Sequence, residues 1–216
     1  MCEFGVTSRA FGHGFAGARF FPATLSTDDP FVSDELSLPT VSTIRTPDDG
    51  GTRETDISVE IAKRITPNLG IELGEEFIDL NPKHEHEASG FGNIELSAKY
   101  QFFTSAEHEA ILSLGTEVEI GGTGQQRVDA DSFSTWIPAF FFGKGLGDLP
   151  DTLSLLRPAA VTGLVGVAIP TSASRRGSDG EIERNPNVLQ YGFALEYSII
   201  YLQEQVRQSS FDFQLQ

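Results

Sequence analysis

The 216-residue sequence is poor in several residue types, and each shortage excludes a class of protein. Cys2 is the only cysteine, so an internal disulfide and a four-thiolate metal site are both excluded. The chain has 15 lysines and arginines against 31 aspartates and glutamates, a formal net charge of -16. Nucleic-acid binding needs clustered basic side chains, and the only dense pair is Arg175 with Arg176. A nucleic-acid partner is therefore set aside.

Long apolar runs are also missing. No stretch approaches the roughly 18 to 20 consecutive apolar residues that a transmembrane helix needs. The N-terminal sequence MCEFGVTSRAFGHGFAGARF lacks the compact apolar core of a secretory signal. A transmembrane β-strand needs only about 9 to 11 residues of alternating character, so these absences leave a membrane barrel open.

Motifs for catalysis and metal binding are absent as well. The sequence contains no G-x-S-x-G, no H-E-x-x-H and no phosphate loop. His84 and His86 in KHEHE make at most half a metal site, and nothing nearby in the sequence completes it. We therefore predict no catalytic residue, no metal and no cofactor. Because a Ser and a His can come together from separate strands, a small outer-membrane hydrolase stays an alternative.

What the sequence does have is alternation of apolar and polar residues. The stretch GFGNIELSAKYQFF, residues 90–103, carries apolar or small side chains at every second position and polar ones between them. Successive side chains of a strand point to opposite faces, so this stretch predicts a strand with one apolar and one hydrophilic face. Eight further segments are interpreted as strands: SDELSLPTVSTIR, TDISVEIAKRI, LGIELGEEF, EAILSLGTEVEIG, FSTWIPAFFFGKG, LSLLRPAAVTGLVGVAIP, VLQYGFALEYSI and FDFQLQ.

The connections between these segments are alternately short and long. Short ones such as TPN and TSAEHE alternate with long polar ones such as NPKHEHEASGFG and GTGQQRVDADS. Up-and-down outer-membrane barrels place short turns on the periplasmic side and long loops outside. We therefore predict an all-β fold, an antiparallel up-and-down meander of eight or nine strands over residues 35–216 that forms a transmembrane β-barrel. Residues 1–34 are predicted to be a poorly ordered segment on the periplasmic side.

The stretch GFGNIELSAKYQFF also resembles a known family. It is similar to the glycine-rich strand signature of the outer-membrane "MetA-pathway of phenol degradation" proteins, here carried by Gly90, Gly92, Asn93, Lys99 and Tyr100. Asn93 stands where that signature usually has an acidic residue. The resemblance covers about residues 35–202 and implies a Gram-negative outer-membrane barrel that passes small, hydrophobic molecules.

In a barrel, the polar face of each strand lines the lumen. The lumen-facing candidates are Glu60, Arg64, Glu72, Glu76, Glu95, Lys99, Glu117, Glu119 and Glu196. An acidic interior would favour cations, whereas carboxylates cross-paired with Lys and Arg would only solvate it, and the second interpretation is the one we expect.

These patterns predict a passive outer-membrane channel or transporter. Its partners would be membrane lipid and a small-molecule solute, and the sequence leaves the oligomeric state open. A soluble or periplasmic β-barrel that binds an apolar ligand among inward Phe and Leu side chains is the alternative.

The strand count gives one more expectation. Bacterial single-chain barrels have an even number of strands, whereas FDFQLQ would be a ninth and short one. We therefore expect a truncated or mis-started member of the family, folded as a strongly curved sheet whose first and last strands do not pair along their full length.

Overall fold

The structure is a computed structural model that describes residues 15–17, 19–24, 27–46, 51–83, 86–176 and 182–203. Almost all of its regular structure is β. The strands are β1 (Phe15–Ala16), β2 (Arg19–Phe20), β3 (Glu35–Leu36), β4 (Thr40–Thr46), β5 (Thr52–Thr66), β6 (Leu69–Asn81), β7 (Ala88–Phe91), β8 (Ile94–Ser105), β9 (Ala110–Ile120), β10 (Thr135–Gly145), β11 (Ala159–Pro170), β12 (Ser174–Arg176), β13 (Ile182–Arg184) and β14 (Val188–Tyr197). Two 3-10 helices cover Gln126–Val128 and Asp151–Leu156.

The main sheet is an antiparallel meander in which each strand pairs with its neighbours along the chain. Its order is β14-β11-β10-β9-β8-β6-β5-β3, with β4 also paired to β5 and β7 also paired to β6. Strands β3 and β4 both pair with β5, one after the other along its length, and β7 and β8 pair with β6 in the same way. The ten strands therefore fill eight positions in the sheet, which curls into half of a barrel. The predicted fold class, an incomplete antiparallel β-barrel, is confirmed.

Three predicted strands differ in detail from those observed. The first is split into β3 and β4 around Leu38 and Pro39, where proline has no N–H to donate to a ladder. The strand of residues 90–103 is split at Gly92 and Asn93 into β7 and β8. LSLLRPAAVTGLVGVAIP enters the sheet only at Ala159, because the residues before it form the second 3-10 helix. FDFQLQ lies outside the described residues.

The two faces of the curved sheet carry opposite kinds of side chain. Cross-strand partners share a face, and the row Ile61, Leu73, Leu96, Val118 and Trp136 runs along the outer one. The outer face is exposed even where its side chains are large, with Leu195 at 82% and Tyr191 at 70%. Lys63 and Glu75, next to these residues in strands β5 and β6, are charged exceptions on this face.

The sheet is open at both edges. Within the described ranges, β14 pairs only with β11, and no ladder joins β14 to β3 or β4. The first and last described strands of the sheet are therefore unpaired with one another, whereas the predicted last strand FDFQLQ lies outside the described residues.

The inner face is crossed by the chain that precedes the sheet. We call residues 15–17, 19–24 and 27–34 the strap. Phe21 and Phe31 of the strap are buried together with Ile111 of β9 and Ala160 of β11, and they form the main apolar core of the described residues. The prediction that residues 1–34 are poorly ordered stays a prediction, but the described part of this segment packs against the sheet.

Candidate functional site

The inner face divides into two regions, and the first lies under the strap. Arg19 of the strap is 2% exposed and forms an ion pair with Glu109, with 3.1 Å between the guanidinium and the carboxylate. Arg19 also donates to the backbone oxygens of Arg157 at 2.6 Å and Pro158 at 2.7 Å. Its guanidinium lies 4.6 Å from the ring centre of Tyr201. This end of the strap is therefore held by a buried charge whose hydrogen bonds are largely satisfied.

The middle of the strap is held by β8 and β9. Lys99 of β8 donates to the Asp28 carboxylate and, at 2.8 Å, to the backbone oxygen of Asp29. Ser113 of β9, which is fully buried, donates to the backbone oxygen of Pro30. The predicted lumen lysine therefore has its partner in the strap.

The far end of the strap reaches β5. Asp34 accepts hydrogen bonds from the Lys63 ammonium at 2.8 Å and from the backbone N–H of Arg64 at 2.9 Å. These two hydrogen bonds lower the pKa of the Asp34 carboxyl from 3.8 to about 2. The Arg64 guanidinium lies 3.5 Å from the same carboxylate, so this predicted lumen residue also pairs with the strap.

The second region is a band of carboxylates beside the strap on the same face. The carboxylate band consists of Glu60, Glu72, Glu76, Glu95, Glu117 and Glu119. Glu95 lies directly opposite Glu119 across the β8–β9 ladder, and Glu117 lies opposite Ser97. The backbone register thus brings together six of the predicted lumen-facing residues on one concave surface.

Among the described residues, no basic side chain lies within ion-pair distance of the carboxylate band. The nearest predicted cations, Lys99 and Arg64, form their ion pairs with Asp28 and Asp34. Glu119 accepts a hydrogen bond from the Asn93 amide at 2.8 Å, which is a neutral partner. Cross-pairing of these carboxylates with Lys and Arg, which was expected from the sequence, is therefore not found within the described part of the chain.

Glu196 lies apart from the band. It faces Ala160 across the β11–β14 ladder, and one of its carboxylate oxygens is buried without a hydrogen-bond partner among the described residues. It lines a cavity of about 800 Å³ at the open edge of the sheet, together with Phe15, Arg19 and Tyr201.

The residues of the family-like signature organise the opposite end of the inner face. Asn93 is 6% exposed, and its amide nitrogen donates to Glu119 and to the backbone oxygen of Asp131, while its amide oxygen accepts from the Gly124 N–H at 2.9 Å. An aspartate here would have no N–H to donate and would face the Glu119 carboxylate. Asn93 therefore fits this site better than the acidic residue of the signature.

The other signature residues have separate places. A Cβ at Gly90 would come within 2.2 Å of the Gln125 side chain, so glycine lets the loop between β9 and β10 fold over β7. Gly92 donates its N–H to the backbone oxygen of Glu76 at the break between β7 and β8. Tyr100 is 50% exposed on the outer face, whereas the neighbouring Lys99 lies on the inner face.

Sequence reasoning missed the strap contacts made by Arg19, Glu109 and Phe21. The available signal was the glycine on the polar faces of the strands. A Cβ at Gly143 would lie 2.9 Å from the Phe21 ring, and one at Gly70 would lie 2.8 Å from Val32. Small residues at alternating positions of a polar face indicate that another part of the chain packs there.

Within the described ranges, no group of three or more His, Cys, Asp and Glu residues is arranged to hold a metal ion. His86 is exposed, and His84 lies outside the described residues. No described helix is long and apolar enough to cross a membrane. Comparisons with protein-family models, with curated proteins and with solved structures find no match. The resemblance to the MetA-pathway family therefore stays a prediction.

Proposed function

We propose that this chain forms the wall of an outer-membrane β-barrel that acts as a passive channel for small solutes. The observation that carries the proposal is the sorting of side chains between the two faces of one curved sheet. The outer face exposes Phe193 at 65% and Leu195 at 82%, whereas the inner face carries the carboxylate band.

The outer face supports a lipid environment on energetic grounds. Soluble monomers rarely expose contiguous apolar patches larger than a few hundred Å². Side chains on successive inner and outer positions of a membrane barrel meet water and lipid in turn, which matches the observed alternation. Lipid is therefore the partner that we assign to the outer face.

The inner face supports a preference among solutes. Six carboxylates with no ion-paired Lys or Arg among the described residues create a negative potential, and a narrow polar passage with such walls favours cations and disfavours anions. We therefore propose that neutral and cationic small molecules pass more readily than anionic ones. The resemblance adds hydrophobic, aromatic molecules as a candidate class. No step in this mechanism forms or breaks a covalent bond.

The experiment compares neighbouring positions of β14, which face opposite ways. Leu195→Cys and Glu196→Cys are each introduced into a Cys2→Ser background, because Cys2 is the only other thiol. After reconstitution into lipid vesicles, we expect a lipid-phase thiol reagent to label position 195 and a water-soluble maleimide to label position 196.

The opposite labelling pattern would favour the soluble barrel with an apolar interior and would overturn the proposal. A protein that stays monomeric in water without detergent would overturn it as well. For the channel itself, the reversal potential across a salt gradient in planar bilayers should have the sign of cation selectivity. Hydrolysis of ester substrates without any conductance would instead favour the outer-membrane hydrolase.

A further inference from the structure

The strap is anchored to the sheet toward one of the two ends of the strands. Gly17 lies against the backbone oxygen of Ala106, in the turn between β8 and β9. Arg19 binds Glu109 in the same turn, and Asp34 binds Lys63 and Arg64 beside the turn between β5 and β6. All these contacts lie at the end with the short connections.

The path of the strap runs across the strands rather than along them. It begins at Pro158 beside β11, where Arg19 binds, and ends at Arg64 of β5, where Asp34 binds. Between these ends, Asp29 accepts from Lys99 of β8 and Pro30 accepts from Ser113 of β9. This path covers five gaps between neighbouring strand positions, each about 4.8 Å wide. A segment that crosses the inner face in this way lies across any passage parallel to the strands.

The contact is built into the sheet, because glycines make room for the strap. Added Cβ atoms at Gly143 and Gly70 would come within 3 Å of Phe21 and Val32 of the strap, and a Cβ at Gly145 would come within 2.8 Å of Arg19. Farther along the strands, a Cβ added at Gly74 would meet Glu95 and Glu60 rather than the strap, and both of these band residues are exposed.

We propose that the strap is the gate of the channel, and that solute passes only when the strap leaves its seat at the short-connection end. This inference rests on the proposed channel function. The buried Phe21 side chain and the buried pair Arg19–Glu109 stabilise the closed position. The ion pairs and hydrogen bonds of Asp28 and Asp34 favour return of the strap to the sheet.

The first test locks the strap with a disulfide. The Cβ of Val32 lies 3.8 Å from the Cβ that a side chain at Gly70 would have, which is the usual separation in a disulfide. Val32→Cys and Gly70→Cys are combined in the Cys2→Ser background, and cross-linking is measured by mass spectrometry. Conductance in planar bilayers should be lost on oxidation and return on reduction.

The matched control is a second disulfide on the inner face that does not include the strap. Ala139 and Gly166 are partners across β10 and β11, with 3.2 Å between the Ala139 Cβ and an added Cβ at Gly166. The double variant Ala139→Cys and Gly166→Cys should conduct equally in its oxidised and reduced forms.

The second test releases the strap without changing the main sheet. Phe21→Asp places a charge in a fully buried apolar seat, whereas the control Phe15→Asp changes a strap phenylalanine that is 61% exposed. We expect Phe21→Asp to raise the open fraction about a hundredfold, the scale on which loss of a buried phenylalanine acts, and Phe15→Asp to match the parent.

The outcomes separate the gate from the channel. A channel that conducts equally with the strap locked, seated or released would overturn the gate and leave the proposed function standing. Absence of conductance in every variant, including Phe21→Asp, would overturn both. Loss of conductance in the oxidised control disulfide would also overturn the gate, because the effect would then come from stiffening the sheet.

Discussion

The strap-covered region and the carboxylate band lie on the same face of the sheet, yet their polar side chains have opposite surroundings. Under the strap, Ser113 and Thr162 are fully buried and each donates to a backbone oxygen. In the band, Glu95 is exposed and faces another carboxylate, Glu119.

The difference shows what the strap contributes. Where it covers the face, it supplies a hydrogen-bond acceptor for Ser113 and an opposite charge for Glu109, as buried polar groups require, while Thr162 finds its acceptor within the sheet. Beside the strap, the carboxylates of the band have no basic side chain within ion-pair distance among the described residues. The same alternating pattern therefore produces a packed core at one end and a charged, water-accessible surface at the other.

The largest effect is expected at the buried ion pair under the strap. Glu109→Ala leaves the Arg19 guanidinium buried without its carboxylate, so we expect a loss of about 3–5 kcal/mol in the free energy of unfolding. Denaturant titration in detergent micelles measures this loss. The control is Glu183→Ala, which breaks an exposed 2.6 Å pair with Arg175 and should cost about 0–1 kcal/mol. Equal costs at the two sites would contradict the contrast between covered and open surfaces.

A smaller effect of opposite sign is expected in the carboxylate band. Glu95→Gln removes one of two like charges that face each other across the β8–β9 ladder, so the free energy of unfolding should rise by about 0.2–1 kcal/mol. Glu107→Gln is the control, because Glu107 is exposed in the turn between β8 and β9 and lies outside the carboxylate band. The gain at Glu95 should vanish near 1 M salt, where charges are screened over about 3 Å. A gain that persists in high salt would mean that charge repulsion is not its cause.

The smallest effect is expected at Asp34, where the strap ends on an exposed surface. Since folding lowers the pKa of this carboxyl from 3.8 to about 2, its contribution to stability is present above the unfolded-state value and is lost as the pH falls toward 2. Asp34→Asn should therefore be slightly less stable than the parent at neutral pH, with the difference disappearing below about pH 2. Stability measured against pH for both proteins tests this, and a difference that is constant with pH would refute it.

Much of the fold could be predicted from alternation alone. Segments such as TDISVEIAKRI and LGIELGEEF are compatible with only one strand register, since a shift by one residue would exchange their apolar and polar faces. The positions of Glu72 and Glu95 on one face follow from the same rule. The breaks at Pro39 and Gly92 were not anticipated, because only the neighbouring strand and loop determine where a ladder stops.

The sequence by itself determined the strands, their order, and which side chains share a face, because these depend on a period of two residues and on short connections. Only the tertiary structure decided the partners of those side chains. Asp28 precedes Lys99 by 71 residues, and Arg19 precedes Glu109 by 90, so no local pattern marks either pair. Contacts between such distant residues follow from the path of the strap across the curved sheet, and that path is set by where glycines leave space for Phe21 and Val32.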